Sequence, residues 1–456
     1  MKFKGPFRRL EDRLSASEPL ETGLHNYQSG GQYEGTRFHL RVAPDGQGIL
    51  AINAQKILHM NETATEYAKL VLEDSGEEEA VKRLRSRFKV SAATAREDFL
   101  YIKNMIDTLE SQKDVCPVTY LGVDRIEPFQ TPSSAPYRID FAVTYRCDND
   151  CPHCYVERPK DFAEMDTDAW KRAIKKAWDV GIPHIVFTGG EATVRDDLVE
   201  LVGYAEDVGA ITGLLTNGRN LGKGGLMGRL EEAGLDHVQI TLESSDAGIH
   251  DRMVGCPGAF AETVEGIKAA VASSVFTITN TTITEWNRGT LLDTVDFLAG
   301  LGLETIAMNG VIYTGGASGG EMGVAEKELP GILSAVRERA AMRGLRLIWY
   351  TPTRYCSLDP VGLGLGPKQC TAAKYNVCVE PNGDVIPCQS YYEPVGNLLT
   401  DDWKDIWNAP LCKSIRDREF APAECRECET FSMCGAGCPL SEDEGTHVCV
   451  ESKSSS

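Results

Sequence analysis

From Tyr137 onward, short apolar runs alternate with longer amphipathic stretches. Ile139–Thr144, His184–Thr188, Ile211–Leu215, His237–Leu242, Phe276–Asn280 and Thr305–Met308 read as six buried strands. The intervening segments, among them residues 167–180 and 197–208, have helical spacing. Short apolar strands alternating with amphipathic helices predict parallel β/α units. Six such units predict an α/β fold with an open or partial (β/α)6 TIM-like barrel. Active sites of such barrels gather at the C-terminal ends of the strands, so the residues just after each apolar run are candidates for chemistry.

The N-terminal pattern differs. Phe38–Val42 alternates as a strand, Pro44-Asp45-Gly46 is a turn and Gly48–Ile52 is a second strand, which together predict a hairpin. Asn61 caps a helix with Ala64, Tyr67, Ala68, Val71 and Leu72 on one face. A second helix carries Ala80, Leu84 and Phe88, and a third carries Phe99, Ile102, Ile106 and Leu109 at spacings of three and four. Residues 36–112 therefore read as a small winged-helix-like α+β module. Residues 1–35 show no period and read as a flexible tail, and residues 113–136, rich in proline, as a linker. Residues 137–353 form the β/α core, and 354–456 a cysteine-rich domain.

Composition narrows the class. The chain of 456 residues is 42% hydrophobic and 25% charged, as in ordinary soluble proteins. A membrane span is not expected, and the polar N-terminus lacks a signal core, so a cytoplasmic location is expected. A net charge of −20 argues against a nucleic-acid partner. Fifteen cysteines in such a chain point to metal or catalysis rather than disulfides. The basic run Lys82–Lys89 is an exception within an acidic protein, and reads either as a solvated helix face or as a patch that steers an acidic peptide.

The densest chemistry lies after the first core strand, where Cys147, Cys151 and Cys154 are spaced C-x3-C-x2-C. No fourth ligand follows to complete a zinc site. Three thiolates on one loop suit three irons of a 4Fe–4S cube, leaving the fourth iron open. This loop, with His153 before its last cysteine, resembles the signature of the radical S-adenosylmethionine (SAM) enzymes. The resemblance implies that SAM binds the open iron and is cleaved reductively to a 5′-deoxyadenosyl radical that abstracts hydrogen from substrate. It also implies SAM contacts from Thr188-Gly189-Gly190-Glu191 after the second strand, where paired glycines would let backbone approach the ligand. Thr216-Asn217-Gly218 after the third strand, and Glu243-Ser244 after the fourth, extend the set. The family's usual Asp is replaced by Glu243. His250-Asp251 and Gly258-Ala259-Phe260 match a further stretch of the family pattern, while Asn280 and Asn309 are weaker candidates.

The C-terminal cysteines also form a pattern. Cys370 is followed after twelve residues by Gly383, with Cys388 behind it, and Cys425, Cys428, Cys434 and Cys438 are spaced C-x2-C-x5-C-x3-C ahead of Cys449. A zinc ribbon shares the C-x2-C element. The whole pattern resembles the SPASM extension of radical SAM enzymes, which carries two auxiliary 4Fe–4S clusters. The resemblance assigns Cys370, Cys388 and Cys438 to the first, which Cys378 could complete, and Cys425, Cys428, Cys434 and Cys449 to the second. Three clusters are therefore expected. Cys116, Cys256, Cys356 and Cys412 are unassigned, and Cys356 is expected to end the last strand before the cysteine domain.

His59-Met60-Asn61-Glu62-Thr63-Ala64 resembles the helix start of the peptide-binding chaperone of pyrroloquinoline quinone synthesis, also known as the RiPP recognition element (RRE). This implies that a leader peptide adds to the sheet edge as a strand, near Gly48–Ile52 or its edge neighbour, and packs against the third helix. The expected activity is that of a radical SAM/SPASM maturase acting on a ribosomal precursor peptide with a leader, by hydrogen abstraction and thioether or carbon–carbon cross-linking. A flavodoxin or ferredoxin is the expected reductant. The alternatives are a radical SAM enzyme acting on a small molecule such as a tetrapyrrole or cofactor precursor, and an iron–sulfur carrier or peptide-binding scaffold without turnover.

Overall fold

The computed structural model describes residues 20–28, 36–52, 56–111, 134–319 and 322–441. The expected linker lies largely outside these residues, as do Cys116 and Cys449. The chain divides into two compact units, residues 1–130 with 178–183, and residues 131–177 with 184–456.

The first unit is a four-stranded sheet in the order β1-β2-β3-β4 with three helices. The strands are β1 (Gly23–Gln28), β2 (Arg37–Val42), β3 (Gly48–Ile52) and β4 (Lys56–Met60), each antiparallel to the next. The helices are α1 (Glu62–Leu72), α2 (Glu77–Arg87) and α3 (Ala92–Ser111). Asn61 caps α1 as expected, its side chain accepting from the Ala64 N–H at 2.8 Å. Ala64, Tyr67, Ala68, Leu84, Phe88, Phe99, Ile102, Ile106 and Leu109 share one core with Leu40, Leu50 and Leu58 of the sheet.

Two expectations for this unit need correction. Gly23–Gln28, taken as tail, is a strand; it lacks an apolar run of its own and is held by main-chain pairing to β2 while Tyr27 packs on the core. Gly48–Ile52 is not an edge strand, because β4 pairs with its far side. The sheet's edge strands are β1 and β4. The basic run on α2 is also partly used internally: Arg87 and Arg83 lie 3.2 and 3.7 Å from the buried Glu66 carboxylate.

The second unit is built on a ten-stranded sheet in the order β11-β10-β9-β8-β7-β6-β5-β12-β13-β14. The strands β5 (Arg138–Thr144), β6 (His184–Gly189), β7 (Ile211–Thr216), β8 (His237–Thr241), β9 (Phe276–Ile283) and β10 (Thr305–Gly310) correspond to the six expected runs. All are parallel to their neighbours, with helices between them. β11 (Arg346–Trp349) adds a further parallel strand at one edge. It ends at Trp349, so Cys356 lies in the turn beyond it rather than at its end.

At the other edge, the first strand of the cysteine-rich region, β12 (Asn376–Val379), pairs in parallel with β5, aligning Cys378 with Asp140 and Val379 with Phe141. Among the described residues the barrel therefore stays open. β13 (Asp384–Ile386) and β14 (Gly396–Asn397) continue the sheet antiparallel. Both faces of β5, β6, β7 and β10 are largely buried, which suits their mostly apolar runs, whereas β8 alternates buried and half-buried positions. Gly213 sits in the middle of β7 because the His237 ring crosses it; a Cβ there would meet Cε1 at 2.3 Å.

Candidate active site

β5 delivers the three-cysteine loop to the C-terminal end of the sheet. Its last residues hold the turn after β6, with Gly190 N–H donating to Thr144 O (2.8 Å) and Glu191 N–H to Arg146 O (2.9 Å). These contacts explain the paired glycines. Gly189 has φ +141, and a Cβ on it would lie 2.0 Å from Thr144 O. One on Gly190 would lie 2.6 Å from the carbonyl oxygens of both Tyr145 and Arg146. The expected reason, close approach to a ligand, is thus joined by a demand from the chain itself. Gly315 and Gly316, after β10, brace the far end of the loop: Gly316 N–H donates to Cys154 O (2.8 Å), and a Cβ on Gly315 would lie 2.6 Å from the same oxygen.

The three thiols are mutual electrostatic neighbours. Burial pushes the Cys147 thiol up to about 12 and raises Cys151 and Cys154 as well, and the neighbouring thiols add to the shift on Cys147 and Cys151. Three crowded, half-buried thiols become thiolates together only beside a strong cationic centre. The Asn149 N–H points at Cys147 Sγ (3.4 Å), a donor suited to a cluster-bound sulfur. This donor set fits a 4Fe–4S cluster.

Glu191 is buried, and its carboxylate accepts from Thr193 N (3.0 Å), Thr193 Oγ1 (2.6 Å), Thr216 Oγ1 (2.7 Å) and Asn217 N (2.7 Å). It thus locks the turns after β6 and β7 together. Burial raises its pKa against these bonds. Asn217 passes the connection on, its Nδ2 donating to Asp148 Oδ1 (2.6 Å) on the cysteine loop. Thr188 is buried in β6.

On the opposite side, His153 Nε2 meets Glu243 Oε1 at 2.9 Å, and Glu243 Oε2 accepts from Thr282 N (2.8 Å). Burial works against a charged His153, but Glu243 and the Met253 backbone hold its pKa above the ordinary value. The Glu243 N–H donates to His250 Nδ1 (3.2 Å). Ser244 is fully buried, bonded to Thr290 Oγ1 (2.8 Å) and accepting from Asp246 N (3.0 Å) at the start of helix Ala247–Val254. Asp251 holds the Gly258 and Phe260 N–H groups. Asn280, inside β9, donates from Nδ2 to Asn309 Oδ1 (2.7 Å) near the end of β10.

The structure therefore brings His153, Asn217 and Glu243 to the cysteine loop. It spends the side chains of Glu191 and Ser244 inside the protein. Sequence reasoning missed Arg219, whose guanidinium donates to Asp148 O and to Asn149 Oδ1 (2.8 Å). Its position directly after Thr216-Asn217-Gly218 was the available signal.

The sequence profile of the Radical SAM superfamily matches residues 141–298, and the SPASM profile, that of an iron–sulfur cluster-binding domain, matches residues 370–429. The chain carries a radical SAM domain and a SPASM domain. Over 320 residues it is 28% identical to the PqqA peptide cyclase of Methylobacterium sp. (strain 4-46), covering 67% of this chain and 81% of that one. The PqqA peptide cyclase of Methylocella silvestris is 29% identical over 308 residues, covering 65% and 80%. In fold the chain resembles SuiB of Streptococcus suis, solved bound to the precursor peptide SuiA, with a TM-score of 0.65 at 17% identity over 88% of this chain and 93% of that one. It also resembles anSMEcpe solved with bound AdoMet, with a TM-score of 0.54 at 17% identity over 66% and 89%.

The SPASM domain is tied directly to the radical SAM loop. Tyr155 Oη donates to Gln389 Oε1 (2.7 Å), and Gln389 Nε2 donates to Asp140 Oδ2 (2.8 Å), next to Cys388 in sequence. Arg158 forks onto the fully buried Glu380 at 2.7 and 3.1 Å. These bridges span more than two hundred residues of sequence and carry no local signal. Cys370, Cys388 and Cys438 are mutual electrostatic neighbours, and burial drives Cys388 up to about 12 and raises Cys438. Cys378 is buried beside Ala142, Tyr145 and Ile386, with burial, then Asp140 and Cys388, raising its thiol. Cys425 and Cys434 are also neighbours, while Cys428 Sγ lies 3.3 Å from Thr430 Oγ1. Cys412 packs in the small core around Cys370, Ala372, Ala373 and Ile415. Among the described residues no helix is long and apolar enough to cross a membrane.

Proposed function

We propose that this protein is a radical SAM maturase that modifies a ribosomally made peptide by hydrogen abstraction, forming a thioether or carbon–carbon cross-link. The observation that carries the reading is the gathering of Cys147, Cys151 and Cys154 on a loop braced by the glycine turns after β6 and β10. A 4Fe–4S cluster held there by the three thiolates would supply the electron for reductive cleavage of SAM to methionine and a 5′-deoxyadenosyl radical. The peptide substrate is supported by two kinds of relative, cyclases of the peptide PqqA and a fold neighbour solved with its precursor peptide.

In this reading the protein's own groups orient and shield. Cys147, Cys151 and Cys154 hold the cluster. Gly189 and Gly190, with Thr188 behind them, present backbone to SAM, and Glu191 and Ser244 position the loops rather than touching the cofactor. Asn217, His153 and Glu243 line the approach. Cys370, Cys388 and Cys438, with Cys378 beside Cys388, would hold the first auxiliary cluster, and Cys425, Cys428 and Cys434 contribute to the second. The Tyr155–Gln389 bridge ties the residue after Cys388 to the cysteine loop, and an auxiliary cluster held there would supply an acceptor for the electron left after cross-linking. The first unit would serve as the RRE, a leader peptide pairing with an edge strand, β4 or β1, and reading pockets along α3. Flavodoxin or ferredoxin would supply electrons in the cytoplasm, where thiols stay reduced.

The test is to incubate the reduced, iron-loaded protein with SAM and each short peptide encoded beside its gene. Mass spectrometry should show a peptide that has lost hydrogen mass and carries a new cross-link, with full-length precursor processed and leaderless core peptide left intact. If no peptide changes while a small-molecule precursor does, the peptide assignment fails.

A further inference from the structure

Cys356 lies outside the SPASM spacing and carries no assignment, yet the fold brings it to the second auxiliary site. The segment that bears it runs along the Cys434 turn. The Tyr355 N–H points at Cys434 Sγ (3.4 Å), and the same sulfur lies 3.8 Å from Thr353 O. Gly437, at φ +79, presses on this segment, where a Cβ would stand 3.2 Å from Arg354 Cγ and 3.5 Å from Thr353 C. Tyr355 is pinned at its far end, its hydroxyl accepting from Lys368 N (2.8 Å) and donating to Lys368 O (3.1 Å), two residues before Cys370. Cys356 follows directly, and its thiol is an electrostatic neighbour of both the Cys425 and the Cys434 thiols. The segment bearing the exposed Cys356 is thus held against the turn of the buried Cys434 by backbone bonds.

We infer that Cys356 is a ligand of the second auxiliary cluster, completing with Cys425, Cys428 and Cys434 a four-thiolate set in which Cys449 is not required. The inference rests on the proposed three-cluster reading. Cys425, Cys428 and Cys434 come from two consecutive turns and supply three corners of a cube. Cys356 approaches from the connection between the radical SAM core and the SPASM domain. Ligation there would anchor that connection to the cluster, and assembly of the cluster would then fix the junction between the two domains.

The test compares full-length wild type with Cys356→Ser, Cys356→Ala and Cys449→Ala after anaerobic reconstitution, reading iron and sulfide per chain and EPR of the reduced clusters. Wild type should hold about twelve irons and the Cys356 variants about eight, by the cubane formula. The SAM-induced EPR change of the first cluster should be kept in the same samples, which separates ligand loss from misfolding. Cys449→Ala should keep all three signals. In loaded wild type the Cys356 thiol should resist alkylation and become reactive once iron is chelated. Full iron and an unchanged second-cluster signal in Cys356→Ala, or loss of that signal in Cys449→Ala alone, overturns the inference. Wild type reproducibly near eight or four irons overturns the three-cluster reading and this ligand assignment with it.

Discussion

His153 and Glu243 meet across the top of the sheet, Nε2 to Oε1 at 2.9 Å, although ninety residues separate them in sequence. Glu243 is buried and the His153 side chain nearly so, so the cysteine loop is tied to the end of β8 by a contact largely shielded from water. In the family pattern Glu243 replaces the usual aspartate. The contact accounts for that replacement, since the longer carboxylate reaches the His153 ring.

Glu243→Ala should therefore cost more than a surface change. It strands a buried imidazole and the Thr282 N–H, and breaking such a buried pair costs about 3 kcal/mol or more. Glu243→Gln keeps an acceptor and should cost about 1 kcal/mol. Urea unfolding of the two variants measures the difference, and equal stabilities would show that the pair does not hold the loop.

A side chain at Gly190 should remove the first cluster itself. The Cβ would meet carbonyl oxygens of the cysteine loop at 2.6 Å, and backbone cannot yield as a flexible side chain can. Gly190→Val protein should lose about four irons per chain while keeping the auxiliary EPR signals. A variant that keeps all its iron and loses only SAM affinity would assign the glycine to ligand approach alone.

Much of the core was legible in the sequence because its determinants are local. The six apolar runs, the Asn61 cap and the cysteine spacings need only a short window to be read. What escaped depends on partners far away in sequence. β1 has no period of its own and exists through pairing with β2, and β12 is visible as an extension of the core only once it lies beside β5. Gly189 and Gly190 were legible as special, but the demand that the carbonyls of residues 144–146 place on them was not. A carboxylate after a Gly-Gly turn also gives no sign that the Glu191 oxygens bond to Thr193, Thr216 and Asn217.

Glu191→Ala should destabilise the protein by about 3 kcal/mol, because it leaves several donors, among them the Asn217 N–H, without their buried acceptor. Glu191→Gln should fall between the variant and wild type, as an amide retains one acceptor and adds a donor that faces other donors. Denaturant titration at neutral pH checks the order.

A pH effect is expected at the N-terminal ends of the strands. His237 Nε2 meets His184 Nε2 at 2.7 Å, and burial, with Arg138 adding to it, lowers the His237 pKa from its ordinary 6.5 to about 4. A histidine depressed in the folded state contributes stability above its unfolded pKa, and that stability is lost as pH falls through the folded value. Between about pH 6.5 and 4 this group should remove about 3 kcal/mol, at 1.36 kcal/mol per unit. His237→Asn should flatten the stability profile in that window, measured by urea unfolding at stepped pH. An unchanged slope would place the acid sensitivity elsewhere.

The Cys147–Cys154 loop is expected to hold the cluster at which SAM is cleaved. The most direct measurement is 5′-deoxyadenosine formed by anaerobic, dithionite-reduced protein given SAM, quantified by chromatography beside the iron content of the same sample. Wild type should release 5′-deoxyadenosine and methionine in equal amounts. The variant with Cys147, Cys151 and Cys154 all changed to Ala should release none and hold about four fewer irons. Iron-replete wild type that forms no 5′-deoxyadenosine, or a triple variant that still does, would contradict the account.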